Sequence, residues 1–247
     1  MEEEALLTRQ SVDWHWQLRN RISTLEELKQ IINLTYEEKQ GIEQERLLMA
    51  ITPYFASLMD KFDPHCPIRK QVIPSPDEAI VSPFAMEDPL HEDKQSPVPC
   101  LVHRYPDRVL LLSTDMCASY CRYCTRERLV GDREVVISDE KLDKICSYIR
   151  KNKQIRDVLI SGGDPLLIET PKLENIIKKI RQIEHVEIVR IGTKVPVVLP
   201  YRIDDELVSM LKKYHPLYIS IHFTHPKEIT PEVKEACDKL NNAGIPL

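Results

Sequence analysis

The sequence predicts an α/β fold, a (βα) repeat built on a parallel sheet and preceded by a helical region, and three observations carry that prediction. Four apolar runs, RVLLLST, DVLISGGD, VEIVRIGT and LYISIHFTH, alternate with amphipathic stretches near 138–152, 171–183, 204–214 and 231–243. Near-continuous Val, Ile and Leu, followed each time by a helix, is the pattern of parallel strands covered on both faces. Upstream, residues 1–60 carry helix-start signals, and prolines then crowd the stretch 61–107. The expected organisation is a helical region 1–60, an extended connector 61–107 and a (βα) unit 108–247.

In the helical region, Ser23 with Glu26 and Thr35 with Glu38 match the capping-box spacing, so each announces a helix start. A third helix is expected over 42–59, carried by Leu47, Leu48, Ile51, Phe55, Leu58 and Met59, with Pro53 bending or breaking it. Trp14 and Trp16 read as core residues that anchor this layer. The connector has prolines at 64, 67, 74, 76, 83, 89, 97, 99 and 106 and no surviving periodicity. Its last part, DPLHEDKQSPVPCLVHRYPDR, is rich in side chains of buried type and should lie across a domain face. At the far end Gly244 caps a helix, and Ile245 and Leu247 would open another strand. A parallel sheet stopping there would leave an unprotected edge, so the natural protein is expected to continue beyond Leu247.

Composition narrows the function classes. With 42% hydrophobic and 30% charged residues and a formal net charge of -5, the chain is globular and has no basic footprint for nucleic acid. The N-terminus MEEEALLTRQ is acidic, lacks the apolar core of a signal peptide, and no run of roughly 18 apolar residues follows anywhere. A cytoplasmic protein without membrane or nucleic-acid partners is expected. Seven cysteines without an export signal read as metal ligands or catalysts before disulfides. Cys146 and Cys237, in helix-like stretches, read as small buried hydrophobes.

The stretch TDMCASYCRYCTRERLVG places Cys117, Cys121 and Cys124 within eight residues, with Arg122, Arg126 and Arg128 among them. Thiolates favour soft metals, and this loop follows the apolar run 108–114, at the strand end where (βα) folds keep their active sites. A structural zinc needs a closed shell of four ligands and usually shows paired C-x-x-C units. Here the triplet has no partner pair downstream. An iron–sulfur cubane has four corners, and three thiolates would leave one iron open to a ligand that is not protein.

A C-x-x-x-C-x-aromatic-C motif after the first such strand resembles the signature of the radical S-adenosylmethionine (SAM) enzymes. That resemblance implies a partial TIM-like barrel of radical SAM type, in which Cys117, Cys121 and Cys124 ligate a [4Fe–4S] cluster and SAM chelates the fourth iron. The segments DWHWQLRNRI, LHEDKQSPVPCLVHRYPDRVLLL, CRYCTRERLVG, RDVLISGGDPLL, HVEIVRIGTKVPVVLP and LKKYHP, read in order, resemble the lysine 2,3-aminomutase family over nearly the whole chain from about residue 13. Glycines in SGGDP would let a ligand approach the backbone. The resemblance implies that Ser161, Gly162, Gly163 and Asp164 hold the amino group of SAM, with Tyr123 near its adenine and His222 close by. His222 and His225 by themselves suit a structural role as well as a ligand role. HRYPDR sets Arg104 and Arg108 on extended backbone around Tyr105 and Pro106. Two guanidiniums can grip one phosphate, although taken alone they read more readily as surface salt bridges. In the family the matching Arg104, Tyr105 and Arg108 hold the phosphate of pyridoxal 5′-phosphate (PLP), and Arg126 binds the carboxylate of the amino acid substrate. Tyr123 stands where many of the lysine enzymes place histidine, and Glu127 where they show another arginine.

The implied function is an isomerase that moves the α-amino group of L-lysine to the β carbon, giving β-lysine. A 5′-deoxyadenosyl radical starts the reaction once an electron arrives from a donor such as flavodoxin or ferredoxin, and the family assembles as homo-oligomers. The lysine that joins PLP, and the acidic pair that selects the substrate's distal ammonium, are expected after Leu247. No catalytic residue is therefore assigned within this stretch, which is expected to be an incomplete enzyme in isolation. Alternatives are a glutamate 2,3-aminomutase, an enzyme that modifies a lysine of a translation factor, and, outside enzymes, a structural metal-binding module.

Overall fold

Helix starts in the first sixty residues follow local capping chemistry. The computed structural model describes residues 12–44, 47–80, 83–131 and 136–247. The helices before the sheet are α1 (Trp14–Arg19), α2 (Leu25–Lys29), α3 (Tyr36–Glu43), α4 (Pro53–Ser57) and α5 (Arg69–Val72). Thr35 caps α3 as expected: its Oγ1 accepts the Glu38 N–H (3.2 Å), and Glu38 Oε2 accepts the Thr35 N–H (2.9 Å). The other capping box sits one residue later than the sequence suggested, on Thr24 and Glu27, while the Ser23 N–H also reaches Glu27 Oε2 (2.9 Å). Glutamates at both 26 and 27 allow either register, and the one observed buries Leu28 completely. The long helix expected over 42–59 does not form. Instead Ile51 pairs with Ile22 through two backbone bonds (2.8 and 3.0 Å), and Pro53 opens α4 behind the Thr52 cap. Proline suits the first turn, where its missing N–H has no partner to lose.

The apolar runs became strands. Within one sheet of order β1-β2-β3-β4-β5 lie β1 (Leu101–Tyr105), β2 (Arg108–Thr114), β3 (Asp157–Gly162), β4 (Ile188–Thr193) and β5 (Leu217–Ile221). β2 to β5 are parallel and carry Val109, Val158, Val189 and Leu217 in one cross-strand row. The helices around them are α6 (Asp139–Lys151), α7 (Thr170–Arg181), α8 (Val195–Val198), α9 (Asp205–Leu211) and α10 (Pro231–Asn242). α6 turns Leu142, Ile145, Cys146 and Ile149 inward, and α7 turns Leu173, Ile176, Ile177 and Ile180 inward. Each such side chain contributes about 1.5–3 kcal/mol by leaving water. β1 was hidden in the proline-rich connector. It pairs antiparallel with β2 through a tight turn at Pro106 and Asp107, so the strand that reads as first in the sequence is second in the sheet.

Coverage of the sheet differs from the expectation of two buried faces. The outer rows are buried, whereas the inner row Leu110, Leu159, Arg190 and Tyr218 is partly open, Tyr218 being 38% exposed. This is the arrangement of part of a TIM-like barrel, where helices cover the outside and the inner face lines a site. Beyond α10 the chain turns at Gly244 and returns to the sheet, where Pro246 O accepts the Ile219 N–H (2.9 Å).

One buried cation ties the helical layer to the barrel. Arg202 is fully buried, with Nε donating to Leu166 O (2.8 Å) and Nη2 to Ile168 O and Thr170 Oγ1 (3.1 Å each). The Trp14 ring lies 4.6 Å from its Cζ. Burial pushes the pKa of Arg202 down, but carbonyls and an aromatic face keep the guanidinium satisfied. Arg202→Met is therefore expected to cost about 3 kcal/mol, because carbonyl acceptors are left buried without donors. A urea unfolding curve measures this, and a loss below about 1 kcal/mol would contradict it.

Candidate active site at the carboxyl ends of the strands

After β2 the chain enters the loop that carries Cys117, Cys121 and Cys124, and neighbours fix its backbone on two sides. From the sheet side, Gly163 N–H donates to Thr114 O and Asp164 N–H to Met116 O (2.6 Å each). From the helical layer, Ala50 O accepts the Tyr120 N–H (3.1 Å), Gln71 O accepts the Arg122 N–H (2.8 Å), and Arg21 Nη1 donates to Cys117 O (2.9 Å). The Arg122 side chain reaches Leu47 O (2.8 Å) and pairs with Glu78. A loop without secondary structure needs partners of this kind for its buried backbone. The helical layer thus forms one wall of the cysteine loop.

Cys117 and Cys124 pack against Leu47, Ala50, Tyr120 and Val130. Burial pushes all three thiols up in pKa, and charge on Cys121 or Cys124 would raise Cys117 further, which marks the three as near neighbours. Among the described residues no three His, Cys, Asp or Glu side chains converge on a single ion. A cubane asks for less convergence, since each thiolate binds a different iron. Of the other cysteines, Cys66 is buried near the Asp60 N–H (3.4 Å), and Cys146 and Cys237 lie on α6 and α10.

The SGGDP turn packs closely against the end of β2 and the cysteine loop. Gly162 has φ +117°, and a Cβ there would stand 2.4 Å from Thr114 O; at Gly163 it would stand 2.2 Å from Met116 O. Gly162 thus accommodates the backbone at the end of β2, and Gly163 that of the cysteine loop. The Asp164 carboxylate also points inward. Oδ1 accepts the Thr193 hydroxyl (2.6 Å) and the Leu166 N–H (3.2 Å), and Oδ2 accepts the N–H groups of Lys194 (2.7 Å) and Val195 (3.1 Å). Its acceptor positions tie two strand ends together.

Tyr123 and His222 come together at the strand ends, ring centroids 5.6 Å apart and edge to face. Burial, then the Lys194 charge, pushes His222 down in pKa. His225 is structural, its Nδ1 accepting the Lys227 N–H (3.1 Å).

Five residues singled out from the sequence, Arg104, Tyr105, Arg108, Arg126 and Ser161, line one cavity of about 340 Å³ on the inner face of the sheet. Tyr105 lies between two guanidiniums, with Arg104 Cζ 6.0 Å and Arg108 Cζ 5.6 Å from its ring centre. Arg108 shares its fork with Asp107 (3.0 and 3.2 Å), whereas Arg104 faces no carboxylate partner among the described residues. Arg126 is held by buried Glu92, Nε donating to both carboxylate oxygens (3.0 Å each) and Nη2 to Oε1 (2.6 Å). That contact uses one edge of the guanidinium and leaves Nη1 for another anion. The cavity also contains Arg190, paired with Asp157 (2.8 and 3.0 Å).

The sequence pattern of the radical SAM superfamily matches residues 111–247, more than half of the chain. The chain belongs to the radical SAM superfamily. Its relatives include L-lysine 2,3-aminomutase of Clostridium subterminale, 58% identical over 237 residues, covering 95% of this chain and 57% of the relative. The L-lysine 2,3-aminomutase of Bacillus subtilis is 51% identical over 237 residues, with 95% and 50% covered. Glutamate 2,3-aminomutase of Clostridioides difficile is 45% identical over 240 residues, with 95% and 57% covered. The chain spans about half the length of the curated relatives it matches.

Membership in the radical SAM superfamily implies a [4Fe–4S] cluster and SAM, and the residues present suit them. Three thiols on one braced loop supply a soft donor set, and binding iron would displace the protons that burial holds on them. Several residues of this radical SAM site were not singled out from the sequence: Glu92, Arg190, Lys194 and Glu228. Arg190 and Lys194 had a readable signal, a cation within or directly after an apolar parallel strand. Glu92 and Glu228 had none, because their partners come from distant segments.

Glu228 gives the site a pH dependence. It is fully buried, and its Oε2 accepts the N–H groups of Thr224 (2.6 Å) and His225 (3.1 Å). Burial alone would raise its pKa, but these donors and the Lys194 ammonium outweigh it and hold the carboxyl below 4.5. A folded-state pKa depressed in this way contributes stability above the unfolded value and loses it as pH falls through the folded one. Between about pH 5 and 3 the native chain should therefore lose more urea resistance than Glu228→Gln, and equal losses would contradict this.

Proposed function

We propose that the chain carries the cluster-, SAM- and PLP-phosphate-binding part of a radical SAM 2,3-aminomutase acting on L-lysine. The observation that carries this reading is the shared cavity, in which an arginine pair suited to phosphate and an arginine suited to carboxylate lie on the inner face beneath the cysteine loop. Identity of 50–58% to L-lysine 2,3-aminomutases supports the substrate. When bound, the cluster with SAM supplies radical hydrogen abstraction, and PLP supplies a π system able to delocalise an unpaired electron.

The residues of this chain position and shield. Arg104 and Arg108, with Tyr105 between them, hold the phosphate through charge-assisted bonds. Arg126, fixed by Glu92 along one edge, presents Nη1 to the α-carboxylate of the substrate. Val102, Leu110 and Leu159 exclude water from the same cavity, and Ser161 adds a small polar wall. The main chain of Gly162 and Gly163, with Tyr123 and His222 opposite, borders the place for SAM. A low-potential donor of the flavodoxin or ferredoxin class supplies the electron. The setting proposed is that of a cytoplasmic homo-oligomer. No helix among the described residues is long and apolar enough to cross a membrane.

Equilibrium binding tests the reading. PLP should bind the chain and be displaced by inorganic phosphate, and Arg104→Gln with Arg108→Gln should weaken it at least tenfold. Labelled L-lysine should bind the PLP-loaded protein and lose affinity in Arg126→Gln. Unchanged affinity in Arg126→Gln would remove this arginine from the carboxylate site, and failure to bind PLP would sink the proposal.

A further inference from the structure

The cavity on the inner face of the sheet has in its wall an acceptor that no described residue satisfies. Gln95 lines this cavity together with Arg104 and Arg126, and its Oε1 is buried with no hydrogen-bond partner among the described residues. Buried side-chain oxygens are almost always paired, because leaving one unpaired forfeits its bond to water and replaces it with nothing. Such an oxygen in the wall of a ligand cavity calls for a donor that the ligand brings.

The backbone that presents Gln95 is held firmly. Residues Asp93–Gln95 form a single 3-10 turn capped by Glu92, with the Gln95 N–H donating to Glu92 O (3.1 Å). The Asp88 carboxylate fixes the start of the turn by accepting the N–H groups of Glu92 (3.0 Å) and Asp93 (2.9 Å), and Ser96 Oγ closes its end by donating to Glu92 O (2.8 Å). Arg128 pairs with Asp88 (3.2 Å) and Asp93 (3.1 Å), which joins the turn to the segment that follows the cysteines. None of these bonds uses the Gln95 amide. The last torsion of a glutamine is broad, so the oxygen can turn toward a donor in the cavity at little cost.

Its position says which donor. In a 3-10 turn, side chains three residues apart eclipse, so Gln95 stands on the same side as Glu92, whose carboxylate grips Arg126. The amide and the free edge of Arg126 therefore border one place. Carboxylates around the cavity are already engaged, Glu92 by Arg126, Asp107 by Arg108 and Asp157 by Arg190. An anionic ligand group thus meets several guanidiniums, whereas a ligand N–H meets the Gln95 oxygen and hydroxyls. An α-amino acid carries both kinds of group on one carbon, a carboxylate for Arg126 and a nitrogen for the neighbouring amide. A carboxylate in place of this amide would be drawn to the arginines and would favour the protonated ammonium. An amide oxygen accepts from ammonium and amine alike.

We propose that Gln95 is a substrate-binding residue whose amide oxygen accepts a hydrogen bond from the α-nitrogen of the amino acid, before that nitrogen joins PLP, while Arg126 holds the α-carboxylate. The proposal rests on reading Arg126 as the carboxylate site.

The test is calorimetric titration of the chain in the presence of pyridoxine 5′-phosphate, which has the ring and phosphate of PLP but no aldehyde and so forms no imine. L-Lysine is compared with ε-aminocaproate, the same molecule without its α-amino group. Gln95→Leu should weaken L-lysine at least tenfold and leave ε-aminocaproate within about twofold of native, whereas Arg126→Gln should weaken both. Because the Gln95 oxygen has no partner in the free chain, Gln95→Leu should also keep or raise the urea midpoint. Equal affinity of native and Gln95→Leu protein for L-lysine would overturn the proposal, as would equal losses for the two compounds. Gln95→Met, nearer in length, should repeat the pattern, and failure of both variants to fold would show a structural role and overturn it. Should neither compound bind the native chain, or should Arg126→Gln leave both unaffected, the carboxylate reading falls and the proposal with it, an outcome distinct from a carboxylate site that works without Gln95.

Discussion

Cys121→Ala is expected to abolish the brown chromophore of anaerobically reconstituted protein and to bring reductive cleavage of SAM to background. The reason is geometric. Cys121 shares a loop with Cys117 and Cys124, the loop is bonded to the sheet through Thr114 and Met116 and to the helical layer through Ala50 and Gln71, and each thiolate has one corner of a cubane to fill. With one thiolate gone, two irons lack a protein ligand and the cluster loses its hold. Cys237→Ala, on partly buried α10, should leave colour and iron content unchanged. Iron and sulfide analysis beside the visible spectrum makes the comparison, and an intact chromophore in Cys121→Ala would remove this residue from the ligand set.

Gly163→Ala should be as damaging to the site, through the backbone. A methyl group there meets Met116 O at 2.2 Å and the Asp115 carbonyl carbon at 2.8 Å, atoms of main chain that cannot rotate away. Either the cysteine loop or the SGGDP turn must move, which breaks the 2.6 Å bonds that join them. Overpacking of this kind costs about 1–3 kcal/mol, and loss of both bonds places this case near the upper end. Cluster uptake should fall with it, because Cys117 follows Met116 directly. Gly192→Ala is the control: its Cβ would meet only side-chain atoms, the nearest at 3.6 Å, and little change is expected. Urea unfolding and iron content measure both variants, and a Gly163→Ala protein of native stability and iron content would refute the coupling of the two loops.

How legible the fold was depended on where each element's information lies. The parallel strands and the helices near 139, 170, 205 and 231 are written locally, as apolar runs and apolar stripes, and they form within a few residues of the expected bounds. β1 was illegible because the prolines on either side of it, at 97, 99 and 106, mask a strand whose pairing comes from β2. The helix expected over 42–59 failed because Ile51 found Ile22, a contact no local pattern announces. In the site, the cysteine spacing and the HRYPDR arginines were readable, since their chemistry is dense in sequence. The roles of Glu92 beside Arg126 and of Glu228 beside Lys194 were not, since each carboxylate gains its meaning only from a partner some 34 residues away. The glycines of SGGDP were noticed for the right physical property, permissive backbone, but the neighbour that requires it is the cysteine loop and not a ligand alone.

The account depends on an iron that no side chain of the protein occupies. Electron paramagnetic resonance of the reduced, reconstituted chain, recorded with and without SAM carrying an isotopic label in its amino nitrogen, tests this most directly. The account predicts that SAM alters the cluster signal and that the label couples to it magnetically. A signal indifferent to saturating SAM, with no coupling to the label, would show every iron already ligated and would contradict the account.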